Sequence, residues 1–456
     1  MQWIFKKMHN PISPLDGRDR ASVEVLQEFF SEKALMFFRV KVEIAWFEFL
    51  AREGFFRSIA AGERKFLRAL VQEFSQADFE AIKKIESRTN HDVKAVELFL
   101  RDKFSTNSLA DLSEWIHWAL TSEDVNNLAW ALILQGASTG IFQKELAQVE
   151  RELLEFSRKF KATPMLSRTH GQPASPTTLG KEFLVFATRL HRQLAQMQSQ
   201  EFLGKFAGAT GNFNAHAVTF PQKDWIALAG KFVESLNLKF NPVCTQIEPH
   251  DFVAEISHNF FRANTILIDL CRDIWEMISR NFFTQKVVKN ETGSSAMPHK
   301  VNPIDFENCE GNCGLANALF AHFATKLPIS RLQRDLSDST VFRNLGVAFG
   351  HTLLALRKLQ KGLGKLQVNE NALLQDLQSH PEVLAEAVQS VMRSCGVPDS
   401  FMKLKEFSRG KQISLEILRE FVAKLEIESS QKARLLALLP ENYLGKAEEM
   451  CERFGQ

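Results

Sequence analysis

Tyrosine is nearly missing from this chain: there is one, Tyr443, against 39 phenylalanines. Phenylalanine packs like tyrosine but has no phenol to donate or accept a proton, so chemistry that needs a tyrosine outside the C-terminal tail is closed. Cysteine is scarce too, six in 456 residues, at positions 244, 271, 309, 313, 395 and 451. Cys309 and Cys313 are four apart, but no further Cys or His pair stands near them at zinc-site spacing. Neither a disulfide framework nor a metal site is expected, and the thiols read as the reduced thiols of a cytosolic protein. No apolar run approaches the roughly 20 residues that span a bilayer. The opening stretch with Trp3, Ile4 and Phe5 lacks a signal-peptide core, so the expectation is a soluble, cytoplasmic protein without a membrane partner. An excess of one charge is also missing, with 56 Lys and Arg against 54 Asp and Glu. No global field would gather nucleic acid, and basic residues at a site would act as specific anion ligands. Glycine-rich phosphate loops of the Walker or dinucleotide type are absent, as is the Gly-x-Ser-x-Gly elbow of serine hydrolases.

What the chain has in abundance is helical periodicity. Ile256, Phe260, Ala263, Leu267, Leu270, Ile274 and Met277 recur in steps of four and three, one stripe along a long helix. Residues 126–160 and 180–206 also read as long amphipathic helices, while period-2 patterns are few and short. The fold class is all-α, and a second apolar stripe on such helices would drive oligomerisation. Breaks fall at residues 105–107, 163–164, 208–221, 241–242 and 293–303, with a compositional change near 362–369. They divide the chain into an N-terminal helical segment to about residue 110, a long-helix middle to about 365 and a C-terminal helical segment.

Polar residues concentrate at these breaks. Gly293-Ser294-Ser295-Ala296-Met297-Pro298-His299-Lys300-Val301-Asn302-Pro303 packs hydroxyls, an imidazole, an ammonium and a carboxamide into a loop bracketed by glycine and proline. Thr89-Asn90-His91-Asp92 offers His91 as a donor to an anion, or Asp92 simply as a helix cap. Thr121-Ser122-Glu123-Asp124 has capping-box spacing ahead of a helical pattern, so it is either a cap alone or an anion-binding helix start. In Ser167-Arg168-Thr169-His170-Gly171-Gln172, His170 is poorly placed for packing. Its reference pKa of ~6.5 suits acid–base work, although a bond to local backbone would also explain it. Gln246-Ile247-Glu248-Pro249-His250-Asp251 precedes the long stripe. Arg334, Ser339, Thr340 and Arg343 form either a phosphate site or, with Asp335 and Asp338, a salt-bridged helix face.

These clusters, in this order, resemble the fumarase/aspartase superfamily of lyases. The 293–303 segment is similar to its signature loop, and 89–95 and 167–174 are similar to the adenylosuccinate lyase branch. The likeness runs from Ser13-Pro14-Leu15-Asp16-Gly17-Arg18 into the C-terminal segment. It implies three helical domains whose long central helices form a twenty-helix core in a homotetramer, with each active site assembled from three subunits. It also implies cofactor-free β-elimination of fumarate from adenylosuccinate and from its aminoimidazole-carboxamide counterpart SAICAR, two steps of purine nucleotide synthesis.

The same resemblance assigns Ser294 as base and His170 as general acid. Lys300 and Asn302 would stabilise the charge building on the adjacent carboxylate. Thr121, Ser122, Ser295 and Gln246 would orient the succinyl group. Arg18, His91, Asp92, Asn308, Arg334, Ser339 and Arg343 would bind the nucleotide, with Asn90, Val301 and Thr340 completing the substrate-binding set. One departure is plain: the family pattern Asp-Gly-Arg-Tyr reads Asp16-Gly17-Arg18-Asp19 here. An acid beside a polyanionic nucleotide repels it unless Arg20 compensates or Asp19 turns away. Phe213 likewise stands where the resemblance expects Tyr. The alternatives are a superfamily member acting on another succinyl adduct and a catalytically weakened helical scaffold.

Overall fold

The computed structural model of the chain describes residues 11–287, 297, 300–408 and 413–455. Among them the fold is all-α, relieved by three two-stranded sheets. The described residues of Met1–Leu146, Gln193–Leu267 and Gly311–Arg357 form one compact unit, and those of Ala147–Arg192, Ile268–Glu310 and Lys358–Gln456 another.

In the first unit, helix Glu32–Arg52 starts where the Ser31 hydroxyl accepts the Ala34 N–H at 3.0 Å. Apolar residues fall on every side of it, and Val40, Ile44, Trp46, Phe47 and Leu50 are all buried, so it runs through the unit's interior. Helix Gln76–Thr89 stops at Asn90, whose left-handed φ of 51° is tolerated by a short amide side chain. Helix Asp92–Ser105 follows immediately and packs Val96, Phe99, Leu100 and Phe104 into the same core as Val40 and Ile44.

The expected stripe lies on helix Asp251–Ser279, 29 residues long, and six of its seven members are buried while Met277 is partly so. Phe260 meets Phe142, Phe320 and Phe349 at ring distances of 5.1, 5.4 and 4.9 Å. A tyrosine in this contact would bury a hydroxyl with no partner, which favours phenylalanine.

Two helical expectations need correction. Residues 126–160 are not one α-helix: Ser122–Ala137 passes through a π-turn, Ser138–Phe142, into Gln143–Lys159. The helix expected over 180–206 ends early, as Leu179–Gln198. Beyond it, Leu203 and Gly204 pair in parallel with Lys239 and Phe240. A Cβ on Gly204 would stand 2.5 Å from Leu128 Cδ2 and 2.9 Å from Val233 Cγ1, so the backbone lies close against its neighbours.

In the second unit, Pro164–Thr169 and Gln172–Thr178 form an antiparallel hairpin in place of a plain loop. Arg168 forks onto Asp376 at 2.6 and 2.8 Å, and the Thr163 hydroxyl donates to Glu370 at 2.9 Å, tying the hairpin to helix Glu370–Gln378. A second pair, Phe283–Gln285 with Leu366–Val368, closes another part of this unit. The C-terminal helices share a small core of Leu384, Val388, Met392, Leu418 and Val422. No helix among the described residues is long and apolar enough to cross a membrane.

Candidate active site

The first unit gathers four of the polar clusters. His91 is the N-cap of helix Asp92–Ser105: its Nδ1 accepts the Lys94 N–H at 3.1 Å. The cap is therefore His91 and not Asp92. With Nδ1 used as acceptor, the neutral ring carries its proton on Nε2, which is left as the donor. Asp92 faces two guanidiniums. Its Oδ2 accepts from Arg39 at 2.8 Å and from Arg343 at 2.9 Å. Burial alone would raise the Asp92 carboxyl, but the Arg39 charge and hydrogen bond, with Arg343 adding to them, hold it below the usual carboxylate range.

The helix Ser122–Ala137 begins at a fixed point. Asp124 Oδ2 accepts the Thr121 N–H at 2.9 Å, as the capping-box spacing predicts. Its Oδ1 lies 2.6 Å from the Lys205 ammonium and also accepts the Ala207 N–H at 3.0 Å. Both side chains of the Asp124–Lys205 pair are fully buried. Just before the helix, His117 and Ala119 hold left-handed φ values of 60° and 59°, and His117 Nδ1 lies 2.5 Å from buried Glu43. Thr121 and Ser122 stand half-buried at this pinned terminus.

One residue further, Glu123 reaches the Arg334–Arg343 cluster. Its Oε2 accepts from Arg334 Nη1 at 2.6 Å, and Arg334 Nη2 stands 3.7 Å from Asp338. Asp338 also lies 3.7 Å from His250 Nε2, a distance too long for a hydrogen bond. Gln246 joins by donating its backbone N–H to Gln333 O at 3.3 Å and its side-chain amide to Ala209 O at 2.8 Å. Ser339 donates its N–H to Asp338 at 2.6 Å; Thr340 and Arg343 are more exposed. The residues expected as a phosphate site form a salt-bridged face here, each arginine resting on a carboxylate.

Glu123, His250 and Asp338 place ligand atoms within 4.8 Å of one another, close enough for a metal ion. The Arg334 guanidinium already supplies positive charge to two of the three. Burial would push His250 down, yet Asp338 and Glu248, with the Glu123 charge behind them, raise it to about 9, so it is a second cation. The set suits internal cations better than a divalent ion.

Arg18 and Asn90 are exposed, and no hydrogen bond joins Arg18 to this cluster among the described residues. Arg20 lies 4.0 Å from Glu24, with no ion pair to Asp19 among the described residues. The Asp19 charge acts instead on His351, an imidazole that burial holds below its usual range. Phe213 is buried edge-on to His216, ring centroids 5.7 Å apart.

The second unit holds the remaining residues. His170 and Gly171 are the two-residue turn of the hairpin, with φ of 53° and 74°. A β-hairpin turn with both central residues left-handed matches strand twist, and Gly171 meets that demand at no steric cost. His170 is thereby presented at an exposed tip, and among the described residues nothing hydrogen-bonds to its ring. Ser294, Ser295 and His299 lie outside the described residues. Lys300 and Val301 are exposed, Lys300 donating its N–H to Met297 O at 3.0 Å. Asn302 lies just ahead of helix Ile304–Lys326, and Asn308 is exposed on its early turns.

Sequence reasoning missed Arg39, Asn126 and the pairing roles of Glu123 and Lys205. A signal was present for Arg39: it and Glu43 are each flanked by apolar residues within helix Glu32–Arg52, where only paired charges survive burial.

A family model described as lyase matches residues 17–316, and one described as adenylosuccinate lyase C-terminal matches residues 330–444. The adenylosuccinate lyase of Legionella pneumophila (strain Corby) is 49% identical over 449 residues, 98% of this chain and 98% of that protein. That of Escherichia coli (strain K12) is 47% identical over 445 residues, 97% and 98% of the two chains. Among solved structures, the 3-carboxy-cis,cis-muconate lactonizing enzyme of Pseudomonas putida matches with a TM-score of 0.76 at 21% identity, over 96% of this chain and 98% of that one. The fumarate lyase of Mesorhizobium sp. BNC1 gives 0.76 at 20%, over 95% and 97%. These two share the fold. Near-half identity along almost the whole length, with the lyase match over residues 17–316, places the chain in the adenylosuccinate lyase family.

Proposed function

We propose that the chain is a carbon–nitrogen lyase that releases fumarate from adenylosuccinate, giving AMP, and from SAICAR, giving AICAR, without a cofactor. The observation that carries this reading is the meeting of Asp92, the Thr121–Ser122 helix start, Gln246 and the Arg334–Arg343 segment in one polar cluster. Such a cluster offers two guanidiniums and a helix N-terminus to a substrate that carries a phosphate and two carboxylates.

In the reaction, Ser294 takes the proton from the carbon beside a carboxylate. That C–H electron pair becomes the C=C bond of fumarate. The C–N pair leaves with nitrogen, which His170 protonates. A serine acts as base only when nearby donors stabilise its anion. Lys300 and Asn302 bear the charge that develops on the carboxylate, while Thr121, Ser122, Ser295 and Gln246 hold the succinyl group. Arg18, Asn90, His91, Asp92, Val301, Asn308, Arg334, Ser339, Thr340 and Arg343 take the nucleotide. The cytoplasmic homotetramer with sites shared by three subunits, and the three segments divided near residues 110 and 365, belong to the same reading.

Fumarate appearance from adenylosuccinate, followed by absorbance without added metal, is the test. Ser294→Ala and His170→Ala should each lower kcat by about 10²- to 10⁴-fold with AMP binding kept. No fumarate from either substrate with folded protein would sink the proposal.

A further inference from the structure

Arg39 belongs to none of the polar clusters. It sits in the middle of helix Glu32–Arg52 and is 2% exposed. Its Nη2 donates to Asp92 Oδ2 at 2.8 Å and its Nε to Asn126 Oδ1 at 2.9 Å. Asp92 Oδ2 is the same oxygen that holds Arg343 at 2.9 Å. Asn126 Nδ2 reaches Glu123 Oε2 at 3.5 Å, the oxygen that holds Arg334 at 2.6 Å. Both arginines read as phosphate ligands are therefore tied, through one carboxylate each, to a single buried guanidinium.

The asymmetry in exposure gives this arrangement a consequence. The Arg343 side chain is 49% exposed, and a half-exposed ion pair with Asp92 holds neither partner firmly by itself. Arg39 is different, because moving Asp92 away would leave a charged guanidinium buried without its counter-ion. An incoming phosphate can draw hydrogen bonds from Arg343, but it cannot draw Asp92 off Arg39.

We propose that Arg39 is a positioning residue, which fixes Asp92 directly and Glu123 through Asn126 and so sets the spacing of Arg334 and Arg343 for a nucleotide phosphate. This rests on the nucleotide reading of the cluster.

The test uses full-length Arg39→Lys and Arg39→Met, with KM and kcat for adenylosuccinate, AMP affinity by titration calorimetry, and the thermal midpoint. Lysine keeps the charge but lacks the rigid planar fork that spans Asp92 and Asn126. The expected result for both variants is a rise of about tenfold or more in KM and in the AMP Kd, with kcat falling by less than about threefold. Arg39→Lys that folds and keeps KM and Kd within about twofold of wild type overturns the proposal, since the side chain then serves stability alone. If Arg39→Met fails to fold, Arg39→Lys decides the matter by the same limits. Wild-type protein that binds AMP but releases no fumarate defeats the lyase reading and leaves the Arg39 comparison readable through AMP affinity. Wild-type protein with no AMP affinity defeats both.

Discussion

His216 is fully buried, and neither ring nitrogen has a hydrogen-bond partner among the described residues. Its neighbours are rings: Trp225 at 4.9 Å, Trp118 at 5.6 Å and Phe213 at 5.7 Å. Burial disfavours the imidazolium and lowers His216 to about 4. An unfolded histidine titrates near ~6.5. Between these values the unfolded chain takes up a proton that the folded one refuses, so stability falls as pH drops from about 6.5 toward 4. The full window is worth about 3 kcal/mol. Replacing His216→Phe removes the titrating group from an aromatic setting that tolerates a ring. The expected outcome is a urea midpoint that changes less between pH 7 and pH 5 than in wild type; identical pH dependence would refute it. His250 behaves oppositely. Its stabilising charge is fully present below about 6.5 and is lost as pH rises through about 9, so the midpoint should also fall on the alkaline side. Neither histidine's titration was legible in the sequence. His250 lay within a polar run, but nothing in that run indicates a left-handed residue held by two acids, and His216 is flanked by Ala215 and Ala217 with no motif at all. Burial and neighbours create both shifts, and these come from distant parts of the chain.

Helix starts and stops, by contrast, divide cleanly into legible and hidden. The Thr121–Asp124 spacing announced the start of helix Ser122–Ala137, and the four-and-three stripe announced helix Asp251–Ser279. The early stop at Gln198 was hidden because the residues after it keep an apolar rhythm while their backbone pairs with Lys239 and Phe240. That segment is locked to the helix start by the buried Asp124–Lys205 pair, with Lys205 Nζ also donating to Gly208 O at 2.7 Å. A buried pair of this kind is costly to break on one side and cheap to replace on both. Lys205→Met alone should destabilise by about 3–5 kcal/mol, since Asp124 is left charged and enclosed. The double variant Asp124→Leu, Lys205→Met should lose less than the sum of the two single variants, giving a coupling energy of about 1–3 kcal/mol in a urea-unfolding cycle. Additive losses would show that the pair does not act as a unit. Function adds a second reading: each variant should raise KM for adenylosuccinate, because Thr121 and Ser122 lie at the terminus the pair fixes.

Across the whole chain, His170, Lys300, Asn302 and Asn308 fall in one compact unit, whereas Asp92, Thr121, Gln246, Arg334 and Arg343 fall in the other. Every one of the six clusters was legible as polar chemistry placed at a break in the helical pattern. What a linear pattern cannot convey is which clusters meet, and four of them do so in the first unit through bonds between residues far apart in sequence, such as Arg343 to Asp92 and Arg334 to Glu123. In the proposed tetramer, whose sites each draw on three subunits, we propose that His170 and Ser294 of one site come from different subunits. A site is then intact whenever the subunit supplying each residue carries it, whatever the state of the other position. Co-expressing His170→Ala and Ser294→Ala chains in equal amounts should leave about a quarter of the sites complete if mixing is random. Each variant alone should be silent, and the mixed oligomer should recover roughly that share of wild-type kcat with KM near the wild-type value. Activity that stays absent in verified mixed oligomers would mean that His170 and Ser294 of one site come from the same chain.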